Sequence, residues 1–340
     1  MPDAAKPAER NTFQARFQRT WGHLTRPHVR ALAWLLDSPE LLDAASPYWQ
    51  GQIATAGPVT PAVANWLADL DADPSPIELA LGNRFYTRLG LYAEKLMAFY
   101  FAHKGTLAAH GLQVRSARNE TIGEFDFLLR EDGLMRHIEF ATKFYLLDGR
   151  PDPGKFNHLI GPNLADTLGL KMRKIFSHQL QLSRHPAALA LLPEPVVKAQ
   201  ALVKGWLFYE EGREWPIDGV APDHCRGYWR TLSAQAGAQG EQFVVMPRLQ
   251  WLAPLKIAAV RPAPGAEGQL SPTPAPLARE DLLQTLEQKF AVDPSPVMVA
   301  TVAMVTDEGE WLVEQERGFV VPDDWRARAE TRRMRGALPA

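Results

Sequence analysis

An Asp-Gly dipeptide at 132–133, set between two apolar runs, constrains this chain more than any other feature. Both residues tolerate the positive φ that a two-residue hairpin turn demands, so the flanking runs are expected to be antiparallel strands. The runs are 122–130 (IGEFDFLLR) and 134–146 (LMRHIEFATKFYL). With a two-residue loop, Glu131 pairs with Leu134, and counting outward puts Asp126 opposite Glu139. Directly opposed residues share a face, with Cβ atoms roughly 4.5–5.5 Å apart. A one-residue slip would send one carboxylate to the other side.

Two like charges in that arrangement repel and would weaken the hairpin unless something neutralises them. A hard divalent cation does so, and carboxylate oxygens are the ligands that Mg²⁺ and Mn²⁺ prefer. The alternative is a solvated outer face with two ordinary acids. Against it, both arms are apolar almost throughout, as in strands covered on both sides, where an isolated charge needs a partner. Alternation puts His137, Glu139, Ala141, Lys143 and Tyr145 on one face, and Ile138, Phe140, Thr142 and Phe144 on the other. Glu124 joins Asp126 on the acidic side. Lys143 is then placed either to stabilise an anionic transition state or to serve as a salt-bridge partner or strand-end charge. His137 reads as a packing residue, or one that orients a ligand from behind, rather than as a ligand.

Around this hairpin the expected order is a helix over 90–110 with Gly111 as its stop, and a strand over 112–118. After the hairpin come a helix over 163–183 and a strand over 201–209. Glu94 on the first helix is placed to approach a metal from above, or to form a helix-surface salt bridge. On the second helix, Lys171, Lys174, His178 and Gln181 line one side, as a phosphate track or as a solvated face. Gln179 falls on the apolar stripe with Leu168, Met172, Ile175 and Phe176, and a buried amide needs hydrogen-bond partners.

Residues 1–11 read as a polar tail and 12–89 as a helical layer. Its stripes are Phe13, Phe17 and Trp21, then Val29, Leu32, Ala33 and Leu36, then Val63, Trp66, Leu67 and Leu70. The core spans 90–210, and 211–325 reads as a β-rich extension packed on it. Within the extension, 261–277 reads as a linker or long loop, followed by a short helix (Leu282, Leu286, Phe290) and a hairpin with arms 297–305 and 311–321. A basic tail covers 326–340.

Composition adds limits. At net charge −2 over 340 residues, no global basic field announces a nucleic-acid partner, although a local basic face would suffice. One cysteine, Cys225, cannot form an intramolecular disulfide or a thiolate zinc cage. The absence of a signal-like N-terminus and of a long apolar run leads to the expectation of a soluble, cytoplasmic protein with no membrane association.

The segments GLYAEKL, GEFDFLL, HIEFATKFYL, GPNLADTLGLK and HQLQLS together resemble a bacterial family, domain of unknown function 1853, over most of the chain. Helix, three strands, helix, strand, with an acid on the second strand and a Glu on the third, also resembles the PD-(D/E)XK nuclease superfamily. That resemblance implies an α/β (α+β) restriction-endonuclease-like core using Mg²⁺ or Mn²⁺. Its catalytic residues would be Asp126, Glu139 and Lys143, with Asp126, Glu139 and Glu94 at the metal. The superfamily lysine stands two residues after the Glu, where this chain has Ala141. Lys143 lies two positions further along the same face, roughly 6–7 Å by strand rise. Either Lys143 reaches inward, or Lys155 or Lys171 substitutes, or the role is absent. Two functions follow: metal-dependent hydrolysis of DNA or RNA, or a degraded nuclease fold that binds nucleic acid or a protein partner. A small-molecule enzyme lacks support, for there is no Gly-rich phosphate loop, no Gly-x-Ser-x-Gly elbow and no i, i+4 His pair.

Overall fold

The computed structural model describes residues 12–82, 86–149, 156–211, 213, 215–238, 240, 242–259, 274–306 and 310–337. The expected 1–11 tail, most of the 261–277 loop and Lys155 lie outside these residues.

Four helices open the described chain: α1 (Phe13–Trp21), α2 (Pro27–Asp37), α3 (Pro61–Ala72) and α4 (Ser75–Leu81). Thr12 and Thr60 cap α1 and α3, their hydroxyls accepting from the N–H groups of Ala15 and Val63. Helix α2 is buried continuously from His28 to Leu36, because its apolar residues run all round and it is enclosed on every side.

Helix α5 (Leu89–His103) ends earlier than expected. Gly105, not Gly111, is the stop: it takes φ +73, and Thr106 N–H donates to Phe101 O across the helix end. Residues 107–110, helical by composition, instead begin β1 (Leu107–Arg115), because their backbone groups pair with β2 (Thr121–Glu131). Pairing overrides local propensity here. Next come β3 (Leu134–Leu147), β4 (Leu159–Ile160), α6 (Leu168–Ser177), α7 (Pro186–Leu189) and β5 (Val196–Glu210). The remainder is β6 (Cys225–Thr231), α8 (Leu232–Gln235), β7 (Gln242–Val245), β8 (Lys256–Ala258), α9 (Arg279–Val292), β9 (Val297–Val305), β10 (Trp311–Val321) and α10 (Trp325–Ala337).

The strands form one mixed sheet in the order β1-β2-β3-β5-β6-β10-β9-β7, with β4 on β3 and β8 on β10. β1, β2 and β3 are antiparallel neighbours, whereas β5 runs parallel to β3, from Met135↔Val196 to Leu146↔Phe208. The 2.0-residue alternation of β3 sorts its side chains as expected. Ile138, Phe140 and Phe144 pack with Tyr92, Leu96 and Phe101 of α5. Ala141, Tyr145 and Leu147 pack with Leu168, Met172 and Ile175 of α6. The protein is thus a mixed α/β structure with helices on both sheet faces.

The C-terminal hairpin β9–β10 joins this same sheet through the parallel pair β10–β6, Gly318↔Tyr228 to Val321↔Thr231. A fully buried Arg317 adds to the join. It donates to Glu314 at 2.6 and 2.7 Å, to Ala253 O at 2.7 Å and to Trp251 O, and lies over the Trp206 ring at 4.2 Å. An isolated 261–340 fragment loses β6, Trp206 and these carbonyls, leaving a buried-type charge and a sheet edge uncompensated. It is expected to give no cooperative transition in thermal unfolding followed by circular dichroism. A sharp transition from the fragment alone would refute that dependence.

Candidate active site

Asp132 and Gly133 take φ +52 and +75, so the turn is the two-residue one that their chemistry demands. The ladder then runs from Glu131↔Leu134 to Phe127↔Ile138. One step further, at Asp126 and Glu139, regular pairing ends. Asp126 Oδ2 instead accepts from the Phe140 N–H at 2.9 Å, so a side chain takes over from the backbone ladder. The other neighbour of β2 keeps its register at the same level but with an unusual backbone angle. Gly111, the β1 residue between the pairs His110↔Phe127 and Leu112↔Phe125, adopts φ +63, which disfavours any L side chain. Phe125 and Leu128 pack in one cluster, which strict alternation would forbid. The strand is distorted where the acid sits.

Glu139 is only 1% exposed. Its Oε1 accepts from Gln179 Nε2, and Gln179 Oε1 in turn accepts from Lys171 Nζ at 3.3 Å. Its Oε2 has no hydrogen-bond partner and lies 3.8 Å from Nε2 of His137, whose ring nitrogens are both buried and unpartnered. Burial, first of all, holds both carboxyls above the ordinary carboxylate range. For Glu139, the further of the two, the negative charge of Asp126 adds to it. For Asp126 the Phe140 N–H opposes burial, while Glu94 adds to it. Lys171 is partly buried, which lowers its pKa, and the charge of Glu139 pulls it back up.

Gln179 reaches Glu139 because the expected continuous helix over 163–183 is broken. Residues 163–167 form a loop ending in Thr167, whose hydroxyl accepts from Leu170 N–H and starts α6. At His178 the backbone turns to φ −128, ψ −56, and a tighter helical turn, Gln179–Arg184, follows with Leu180 and Leu182 buried. That break turns Gln179 toward β3.

The other candidate residues take different positions. Glu94 pairs with His110 at 2.7 Å, with its charge still felt by both acids. Lys143 Nζ lies 3.5 Å from Asp166 Oδ2, which also accepts from Tyr145 Oη at 3.1 Å. Strand rise has carried Lys143 beyond the acid pair. Lys174 and His178 are exposed, and Glu124 stays at the surface with Gln113. His110 and Asp166 carried no signal in the sequence: one lies in a segment of helical composition, the other in a loop.

Does a divalent cation fit here? Among the described residues there is no group of three or more His, Cys, Asp or Glu side chains that could hold a metal, which argues against a protein-caged zinc. Mg²⁺ asks for less: one or two carboxylates, with water and substrate phosphate completing the shell. Asp126 and Glu139, with the buried Glu139 Oε2 left without a hydrogen-bond partner, are of the kind that requirement asks for.

Fold and site define a mixed α/β protein on one extended sheet, carrying a buried Glu139, a partly buried Asp126, an amide and a lysine where two strands part. The chain belongs to the family described as Domain of unknown function (DUF1853), which matches residues 30–321. No curated protein and no solved structure matches it. Among the described residues, no helix is long and apolar enough to cross a membrane.

Proposed function

We propose that this protein is a divalent-metal-dependent nuclease of the PD-(D/E)XK type, hydrolysing phosphodiester bonds in DNA or RNA. The observation that carries the reading is the Asp126–Glu139 pair at the end of the regular β2–β3 ladder, Asp126 held by the Phe140 N–H and the buried Glu139 by Gln179, which Lys171 in turn contacts. Supporting it is the element order α5, β1, β2, β3, α6, β5, with the short β4 and α7 inserted before and after α6, the acids on the second and third strands and β5 parallel to β3. Asp126 and Glu139 would hold Mg²⁺ or Mn²⁺, which supplies a Lewis acid for the phosphate and a more acidic water. The chain's own residues do the rest. Gln179 fixes the Glu139 carboxylate by donating to Oε1. Lys171 brings positive charge to an otherwise anionic site and would stabilise charge developing on the phosphate. The pairing with His110 at 2.7 Å orients Glu94.

The second reading, a degraded nuclease fold that binds nucleic acid or a protein, draws on the engagement of Lys143 with Asp166 away from the acids. Calorimetric titration with Mn²⁺, alongside cleavage assays on single- and double-stranded DNA and RNA with Mg²⁺ or EDTA, separates the two. Metal-dependent cleavage is expected. A protein that binds no divalent ion and cuts none of the four substrates would leave the binding module as the better reading.

A further inference from the structure

Helix α6 has a second side. While Lys171 faces the acid pair, Met172, Arg173 and Phe176 line a cavity of about 380 Å³, closed on its far side by Tyr48, Trp49 and Phe156. The walls are aromatic and partly parallel. Trp49 stacks on Phe156 at 5.4 Å and 21°, and on Phe176 at 5.1 Å and 19°. Tyr48 stands edge-on to Trp49 at 4.7 Å and to Phe156 at 5.5 Å, and is 48% exposed at the mouth. Gln50, Gln52 and Asn157 add amides to the rim.

We infer that this cavity takes an unpaired nucleobase of a single-stranded nucleic acid whose backbone crosses α6 to the Asp126–Glu139 pair. The strand's fate on arrival rests on the nuclease reading; the binding does not. Three features select this occupant. The half-exposed Tyr48 ring, backed by the Trp49–Phe156 and Trp49–Phe176 stacks, suits the π-face common to every base, and the rim amides suit base edges. The outer surface of α6 is cationic: Arg173 and Lys174 are exposed and LGLKMRKIFS carries no acid, which complements phosphates rather than an apolar ligand. Lastly, Lys171 and Phe176 lie less than two helical turns apart, at 5.4 Å per turn, a span of about one or two nucleotides. A base paired inside a duplex cannot enter such a cavity, so the substrate must be single-stranded there or have its base flipped out.

The test is fluorescence anisotropy of the full chain in EDTA with labelled oligo-deoxythymidine, oligo-uridine and a blunt DNA duplex. Single strands are expected to bind more tightly than duplex, by about tenfold, and the tighter of the two single strands identifies DNA or RNA as the source of the base. Tyr48→Ala should weaken single-strand binding by about 5- to 100-fold, the range for loss of one stacking partner, and Tyr48→Phe should retain it. Arg173→Gln should weaken it and flatten its salt dependence. Tyr48 is half exposed, so loss of folding is not expected, and a circular dichroism melt checks it. Duplex preference, or single-strand binding indifferent to Tyr48→Ala, overturns the inference even if the protein is a nuclease. Conversely, Tyr48-dependent binding without cleavage keeps the cavity assignment and sinks the nuclease reading.

Discussion

Asp126→Asn and Glu139→Gln should each reduce metal-dependent cleavage by at least about 10²–10³-fold, while stabilising the metal-free protein as pH rises. The first effect follows from losing one of two anionic groups that would hold the cation. The second follows from linkage. Each carboxyl has a folded-state pKa raised above its unfolded value, chiefly by burial. Protonated, it sits comfortably in the fold; ionised, it does not. Its stabilising contribution is therefore complete below the unfolded value, about 4, and is lost progressively as pH rises through the folded value. Metal-free wild type should become less stable from acid to mildly alkaline pH by on the order of 1–3 kcal/mol through this pair. An amide cannot ionise, so each variant should flatten that decline, and Mn²⁺ should restore stability at high pH in wild type only. Urea unfolding at pH 5 and pH 9, in EDTA and then in Mn²⁺, measures both. Variants less stable than wild type at both pH values would mark the acids as structural partners instead.

Some of this arrangement was legible in the chain because it depends on local rules. Asp132-Gly133 dictates its own turn, and the turn dictates register, so the ladder runs to Phe127↔Ile138 without knowledge of anything else in the fold and leaves Asp126 and Glu139 as the next residues on the two strands. Period-two alternation likewise sorts β3 between α5 and α6. What escaped was decided by tertiary pairing. Gly111 has the right chemistry for a helix stop, and only the pairing of 107–110 with β2 makes it a strand irregularity beside the acid instead. The break at His178 has no Pro or Gly to announce it, yet it brings Gln179 onto Glu139. Asp166 meets Lys143 and Tyr145 through a loop, where no periodicity points the way.

The lysine question then has a direct answer in kinetics. Lys171→Ala is expected to lower kcat by about 10²–10³-fold, as for loss of one preorganised contact to developing charge, with Mn²⁺ affinity little changed. Lys143→Ala should cost much less, because its ammonium is already engaged by Asp166 Oδ2, 3.5 Å away. The difference has a physical origin. Lys171 is partly buried, and its charge acts on both Asp126 and Glu139, so little reorganisation is needed when a phosphate enters. Lys143 would have to leave Asp166 and move back along β3 first. Lys171→Arg keeps the charge but not the fit to Gln179 Oε1, so partial recovery of kcat is expected, which a purely structural lysine would not show. Single-turnover cleavage with calorimetry on the same four proteins decides the matter. If Lys143→Ala is inactive and Lys171→Ala is not, the cation that serves the phosphate lies on β3, and α6 contributes only its outer face.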